Sequence, residues 1–205
     1  MTEKATATNA SLGIKKVYLS QILIALASLL SVICTCFFSD NQKMLAVLGA
    51  IVAVFGIVAF VLEFLGLKKA SHDEDGYRTA FYLMLTAVAA VAVNVVISII
   101  WPVHRSMTAD DMVYRIISVF VCYYVIVTTV ARLKARGHEE AAELGRPALY
   151  ALYIGYAAEV AVSLIAMFVR KDSLTMDIAN CASAGLSTAA TLYYAAFLEK
   201  SWKLL

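Results

Sequence analysis

The residue best placed to do chemistry is Glu159, a carboxylic acid within a long apolar stretch of the chain. The stretch predicts a helix over about 148–169, so Glu159 lies near its middle. An acidic residue at the centre of a membrane-spanning helix costs ~2.5–3.5 kcal/mol and usually faces a bundle interior or a wet cavity. We therefore predict that Glu159 faces inward as a proton carrier, a cation ligand or a hydrogen-bond donor to a solute. The alternative is a protonated structural carboxyl bonded to a neighbouring helix.

The helical period places further polar side chains around this acid. At about 100° per residue, Tyr156 and Ser163 share the helix face of Glu159. Asn94, in an earlier apolar stretch, is predicted at nearly the same depth and offers an amide partner. The basic residues all fall near predicted helix ends, and Arg115, in the first turn of the helix predicted over 112–133, is counted on the outer side. Glu159 is thus expected to have no cationic partner.

The last apolar stretch carries a row of small polar residues, which suggests a pathway. They recur at intervals of three or four, within about an 80° arc of one helix face, and are Asn180, Ser183, Ser187 and Thr191. Such a seam can line a route for a solute. Equally, serine and threonine hydroxyls can donate to carbonyls of their own helix and indicate only tight packing.

Several kinds of chemistry lack support in this sequence. The three histidines, His72, His104 and His138, lie in predicted loops, so intramembrane haem ligation is not expected. The sequence contains no HExxH, GxSxG, P-loop or CxxC pattern. We therefore expect no catalytic residues, no metal site and no cofactor, and we do not expect an enzyme.

The elements that must position these residues are six apolar stretches. Hydrophobic residues make up 62% of the 205 and charged residues 16%, against ~45–50% and ~25% in soluble domains. Each stretch reaches the ~20 residues needed to cross a bilayer. The sequence therefore predicts an all-α, polytopic bundle of six transmembrane helices, over about 18–38, 44–67, 79–101, 112–133, 148–169 and 176–198. Residues 15–205 form a single transmembrane domain in this interpretation, and residues 1–14 form a disordered cytoplasmic tail.

Basic residues are distributed unevenly about these helices. The connections that would share a side with both termini hold 12 of the 17 lysines and arginines, and the opposite side holds five. Cytoplasmic loops carry an excess of lysine and arginine. We therefore predict a multi-pass protein of the cell membrane with both termini cytoplasmic. The net charge of +2 does not indicate a nucleic-acid partner.

The two longer connections resemble each other, which suggests an internal repeat. Lys68 and His72 follow the second stretch with the spacing that Lys134 and His138 show after the fourth. Three tandem helical hairpins in a pseudo-threefold arrangement would give this pattern. The positive-inside bias alone also places basic residues at each of these ends.

Function is predicted only at the level of class. The leading hypothesis is an integral membrane protein that binds or transports a small molecule or ion, proton-coupled through Glu159. One alternative is the substrate-binding subunit of a multi-component transporter, and another is a non-transporting assembly, immunity or sensor protein. The expected partners are the lipid bilayer and the solute, while a homo-oligomer or a partner membrane subunit remains an open alternative.

Overall fold

A computed structural model describes residues 8–37, 41–100, 107–168 and 174–205 of the chain. This part of the chain contains helices and short turns only, which confirms the all-α prediction. Six helices are long and the fifth in order is a single short turn. Their bounds are α1 Asn9–Phe37, α2 Gln42–Ala70, α3 Asp75–Ile100, α4 Met107–Ala135, α5 Glu139–Glu143, α6 Gly145–Phe168 and α7 Leu174–Trp202.

Four segments are long and apolar enough to cross a membrane, among the residues described. They are Asn9–Cys34, Gln42–Ala70, Arg115–Ala135 and Glu139–Ile165. Large apolar side chains such as Val54, Ile57 and Ile154 are more than half exposed on the outer surface of these helices. An apolar surface of this extent is expected where lipid, rather than water, surrounds a helix.

The six long helices pack in chain order around a closed ring. Contacts join α1 to α2, α2 to α3, α3 to α4, α4 to α6, α6 to α7, and α7 back to α1. The turns at 71–74 and 136–138 lie at the same end of the ring as Thr8 and Leu205. The helices therefore start and end there in alternation, so neighbours in the ring are antiparallel. We call this end of the ring, which carries Thr8, Leu205 and both turns, the basal end.

The first helix begins earlier than the hydrophobic pattern alone predicts. Thr8 caps it by accepting a hydrogen bond from Ser11 N at 3.1 Å, and Asp73 Oδ2 accepts one from Ala10 N at 2.7 Å. Ala10 and Ile14 are fully buried. The predicted tail of residues 1–14 therefore overlaps the first turns of α1. A helix that is capped and packed can continue beyond the apolar segment that a span requires.

The tightest packing lies toward the basal end. The largest fully buried side chains of the described residues gather there, and they include Tyr77, Ile126, Leu133, Tyr194, Phe197 and Leu198. Tyr77 Oη and Thr129 Oγ1, both buried, form a hydrogen bond of 2.9 Å between α3 and α4. This end of the ring is filled by side chains.

Glycines at the α1–α2 contact set how closely these two helices approach. A Cβ atom added to Gly66 would lie 2.7 Å from the carbonyl oxygen of Gly13, whereas one added to Gly49 would meet nothing within 4 Å. Small residues allow the backbones of membrane helices to approach closely in this way.

We predict that Gly66→Ala destabilises the fold by about 1–3 kcal/mol, the usual cost of overpacking. The clash is with backbone, which cannot rotate away. Gly49→Ala, in the same helix, is the matched control and should be neutral or slightly stabilising because alanine favours helix. Unfolding of the purified variants in detergent measures both. Equal stability of the two variants would contradict the close α1–α2 approach.

Candidate functional site

A cavity of about 350 Å³ lies inside the ring, and all six long helices contribute to its wall. Its volume is near the lower end of the ~300–1,000 Å³ range of small-molecule sites. The wall combines charged, hydroxyl, amide, aromatic and apolar groups. Its lining residues are Gln21, Ile24, Ser28, Gly56, Phe60, Glu63, Met84, Ala87, Arg115, Ile117, Ser118, Val121, Cys122, Tyr156, Glu159, Ser187 and Thr191.

The central charged feature of the cavity is an ion pair between α4 and α6. Arg115 Nη1 contacts Glu159 Oε2, and their side chains are only 27% and 19% exposed. The expectation that Glu159 has no cationic partner is therefore wrong. Arg115 lies two turns inside α4, which starts at Met107, and its long side chain reaches a carboxylate that the sequence places deeper.

A second carboxyl lines the same cavity without such a partner. Glu63 of α2 is half-buried and belongs to the cavity wall together with Phe60, one turn before it, and Gly56, two turns before it. The sequence indicates only that Glu63 lies near a helix end, where it would reach the membrane surface. Among the described residues, no lysine, arginine or histidine forms a salt bridge with Glu63.

The polar seam of α7 divides into cavity residues and packing residues. Ser187 and Thr191 line the cavity, and Thr191 Oγ1 donates to Ser187 O at 2.9 Å. Ser183 is buried and donates to Asn180 O at 3.0 Å, while Asn180 itself is exposed. Ser183 thus forms its hydrogen bond within α7, whereas Ser187 and Thr191, nearer the basal end, reach the cavity.

Thr188 lies beside the seam and joins α7 to α1. Its Oγ1 lies 2.8 Å from Ser28 Oγ and 2.7 Å from the carbonyl oxygen of Ala184. Thr188 lies off the predicted arc of the seam, so the helical period alone does not indicate it. Gly155 lets α6 approach the same helix, since a Cβ there would lie 3.2 Å from Ser187 Cα.

The remaining predicted site residues are distributed as follows. Tyr156 lines the cavity one turn before Glu159. Ser163 is half-buried on α6 and is not part of the cavity wall. The side chain of Asn94 lies outside the part of the chain whose side chains the structure describes.

The basal end closes over the cavity with a charged network. Arg132 of α4 binds Asp73 at 3.4 Å and Glu74 at 3.1 Å, and Asp73 also caps α1. Lys200 of α7 binds Glu140 of α5 at 3.0 Å, and Arg136 donates to Leu204 O at 3.2 Å. These contacts join the start of α1, the turn at 71–74, the end of α4, α5 and the end of α7.

The cavity wall presents charged groups, hydrogen-bonding groups and aromatic rings. Among the described residues no group of three or more histidine, cysteine or acidic side chains is arranged to hold a metal ion. The sequence signals that pointed here were the buried acid and the helical period of α7. The site predicted from the sequence does not include Arg115 or Glu63. Each is a charged residue within one or two turns of a predicted helix end, and that position is the sequence signal that could have indicated them.

Comparison of this chain with protein-family models, with curated proteins and with solved structures finds no match, so the cavity and its charged residues are the basis for assigning a function.

Proposed function

We propose that this chain is a multi-pass membrane protein that binds a small solute in the central cavity and moves it across the bilayer. The observation that carries the proposal is the cavity itself, which is walled by all six long helices and holds Glu63, Arg115 and Glu159. Charged groups are costly inside a membrane and are usually functional where they occur. A scaffold held together by polar residues has no need of such a space.

The proposal includes six membrane crossings. Four segments meet the requirement of length and apolarity. The other two crossings are α3, of 26 residues, and α7, of 29 residues, which complete the ring. Their packing beside the four apolar helices supports a span for each, since a ring member in contact with two spanning neighbours crosses the same thickness.

We further propose that the basal end faces the cytoplasm of the cell. The connections and termini at this end include 12 of the 17 basic residues, and positive residues are retained on the cytoplasmic side. Three consecutive hairpins, α1–α2, α3–α4 and α6–α7, follow one another around the ring. This order supports, as part of the proposal, a pseudo-threefold arrangement of tandem repeats about an axis along the membrane normal.

The ion pair changes the role proposed for Glu159. Arg115 supplies a counter-charge to Glu159, so the carboxylate has a reason to lie in the interior without carrying a proton. We therefore do not assign the coupling proton to Glu159. We propose that the Arg115–Glu159 pair fixes α4 against α6 at the wall of the cavity.

Cysteine accessibility tests the cavity and its orientation together. In a variant whose four native cysteines are replaced, Ser187→Cys should react with a small charged thiol reagent in membranes, because a cavity that takes a polar solute admits water. Packed side chains close the basal end, so access is expected from the opposite end of the ring. In intact cells, His72→Cys should resist an impermeant maleimide and should react after permeabilisation.

The matched control is Leu192→Cys, on the same helix. Leu192 is 43% exposed on the outer surface of the ring, where lipid would exclude a charged reagent. Equal protection of Ser187→Cys and Leu192→Cys would contradict a water-accessible cavity and favour a non-transporting scaffold. Labelling of His72→Cys in intact cells would reverse the proposed orientation.

A further inference from the structure

We infer that the solute of this cavity is a small organic cation, such as a protonated amine, that binds Glu63 in exchange for a proton. The inference rests on the proposed function and specifies its substrate class. It starts from the second carboxyl of the cavity, which the Arg115–Glu159 pair does not use.

The charges of the cavity wall do not cancel. Glu63 and Glu159 are acidic, and Arg115 is the single basic residue of the described lining. Arg115 contacts Glu159, which leaves the carboxyl of Glu63 to be neutralised. A carboxylate in an apolar environment requires either a proton or a cation beside it. A positively charged solute satisfies this requirement, whereas an anionic solute would have to displace Glu159 from Arg115.

The other groups of the wall also suit a cation that donates hydrogen bonds. Phe60 and Tyr156 bring aromatic rings to the cavity, and aromatic faces attract ammonium groups. The proton of Thr191 Oγ1 is donated to Ser187 O, so towards a ligand this hydroxyl can act only as an acceptor. A volume of about 350 Å³ limits the solute to a small molecule.

The titratable groups near Glu63 come from α4, α6 and α7. Arg115 and Cys122 belong to α4, and Tyr156 and Glu159 belong to α6, all of them in the cavity wall. Tyr194 of α7 lies within electrostatic range of Glu63. The lining residues of α1 and α3 are uncharged. Glu63 is thus the acidic member of this group that has no basic partner among the described residues.

The exchange step is balanced in atoms and charge. In the empty cavity, Glu63 carries a proton on its carboxyl oxygen. When the ammonium ion enters, that O–H bond breaks, the proton leaves to water, and the carboxylate pairs with the ammonium group. One cation enters and one proton departs, so the charge of the cavity is unchanged. With this step on the cytoplasmic side and its reversal on the outer side, the cycle would export one amine for each proton that enters.

Calorimetry on the purified full chain in detergent tests this exchange. The probes are phenethylamine as the cation and 3-phenylpropionate as an anion with a similar apolar part. We expect phenethylamine to bind near neutral pH and to release about one proton, measured by repeating the titration in buffers of different ionisation enthalpy. Glu63→Gln should weaken the binding by about tenfold or more, because it removes the carboxylate partner of the ammonium group.

The matched control is Glu199→Gln, which also removes one carboxylate. Glu199 lies near the basal end of α7 and pairs with Lys203 at 2.6 Å, away from the cavity, so this variant should bind as the native chain does. A measurement without variants covers the case in which Glu63→Gln does not fold. Phenethylamine remains protonated below pH 8. As the pH is lowered and protons compete for Glu63, its affinity for the native chain should therefore fall, with a limiting slope of about tenfold per pH unit.

Each of the following outcomes would overturn the inference. Binding of phenethylamine without proton release, or with equal affinity in native protein and Glu63→Gln, removes Glu63 from the exchange. Preferential binding of 3-phenylpropionate reverses the charge of the solute while the proposed solute site stands. Binding of neither probe to a chain whose Ser187→Cys is accessible rejects the cation class alone. If Ser187→Cys is also protected, the proposed function itself fails.

Discussion

Glu159→Gln is expected to destabilise the protein by about 2–3 kcal/mol, less than the ~3–5 kcal/mol of a fully buried ion pair, because both side chains are partly exposed at the cavity wall. The variant leaves the Arg115 guanidinium at the cavity wall without the carboxylate it contacts. A partly buried charge that loses an ion-pair partner costs more than the pair itself contributes. Thermal or denaturant unfolding in a fixed detergent measures the change.

The double variant Arg115→Gln/Glu159→Gln separates pairing from packing. Two neutral amides can hydrogen-bond to each other, and neither charge remains, so we expect most of the lost stability to return. A double-mutant cycle gives the coupling energy of the pair. Strictly additive losses would show that Arg115 and Glu159 do not interact, and the proposed wall between α4 and α6 would then need another basis.

The second large effect is expected at the basal end, where Asp73→Ala should cost about 2–3 kcal/mol. Asp73 accepts a hydrogen bond from Ala10 N at 2.7 Å and pairs with Arg132 at 3.4 Å. Its side chain is only 17% exposed, and that of Arg132 only 14%. Hydrogen bonds to charged groups contribute ~1.5–3 kcal/mol each, and loss of a helix cap adds to this.

A nearby acid provides the control for Asp73. Asp75 has a side chain that is 90% exposed, and it pairs with Arg78 within its own helix. Exposed pairs of this kind contribute little, so Asp75→Ala should change the stability by less than about 0.5 kcal/mol. Asp73→Asn keeps the acceptor for Ala10 N but loses the charge, and should fall between the two. Equal free energies of unfolding for all three variants would contradict a stabilising role for the contacts of Asp73 with Ala10 and Arg132.

The charged network at the basal end bears on how a solute would leave the cavity. The cavity lies beyond a basal end that is filled by Tyr77, Tyr194 and Phe197 and closed by Arg132 with its two acidic partners. A conformational change that opens this end must break those ion pairs. Within the proposed function, variants of Asp73 and Arg132 would therefore change the balance between closed and open states as well as the stability.

The sequence by itself determines the class of this protein and part of its site. The lengths of the apolar stretches require helices because a backbone in lipid must satisfy its own hydrogen bonds, and the structure confirms an all-α chain with four segments suited to a membrane. The 3.6-residue period also fixes which residues share a face within one helix. Tyr156 with Glu159, and Ser187 with Thr191, were predicted as neighbours on that basis, and both pairs lie at the cavity wall.

Only the tertiary structure decides which residues from different helices meet. The rotation and depth of one helix against the next depend on side-chain fit, such as the approach of Gly13 to Gly66, and no local pattern in the sequence encodes that fit. The sequence alone therefore places Arg115 at the outer end of one helix and Glu63 near the cytoplasmic end of another, whereas the packing of α2, α4 and α6 brings both to one cavity. Long side chains widen this gap, because an arginine can carry its charge about a helical turn away from its own Cα.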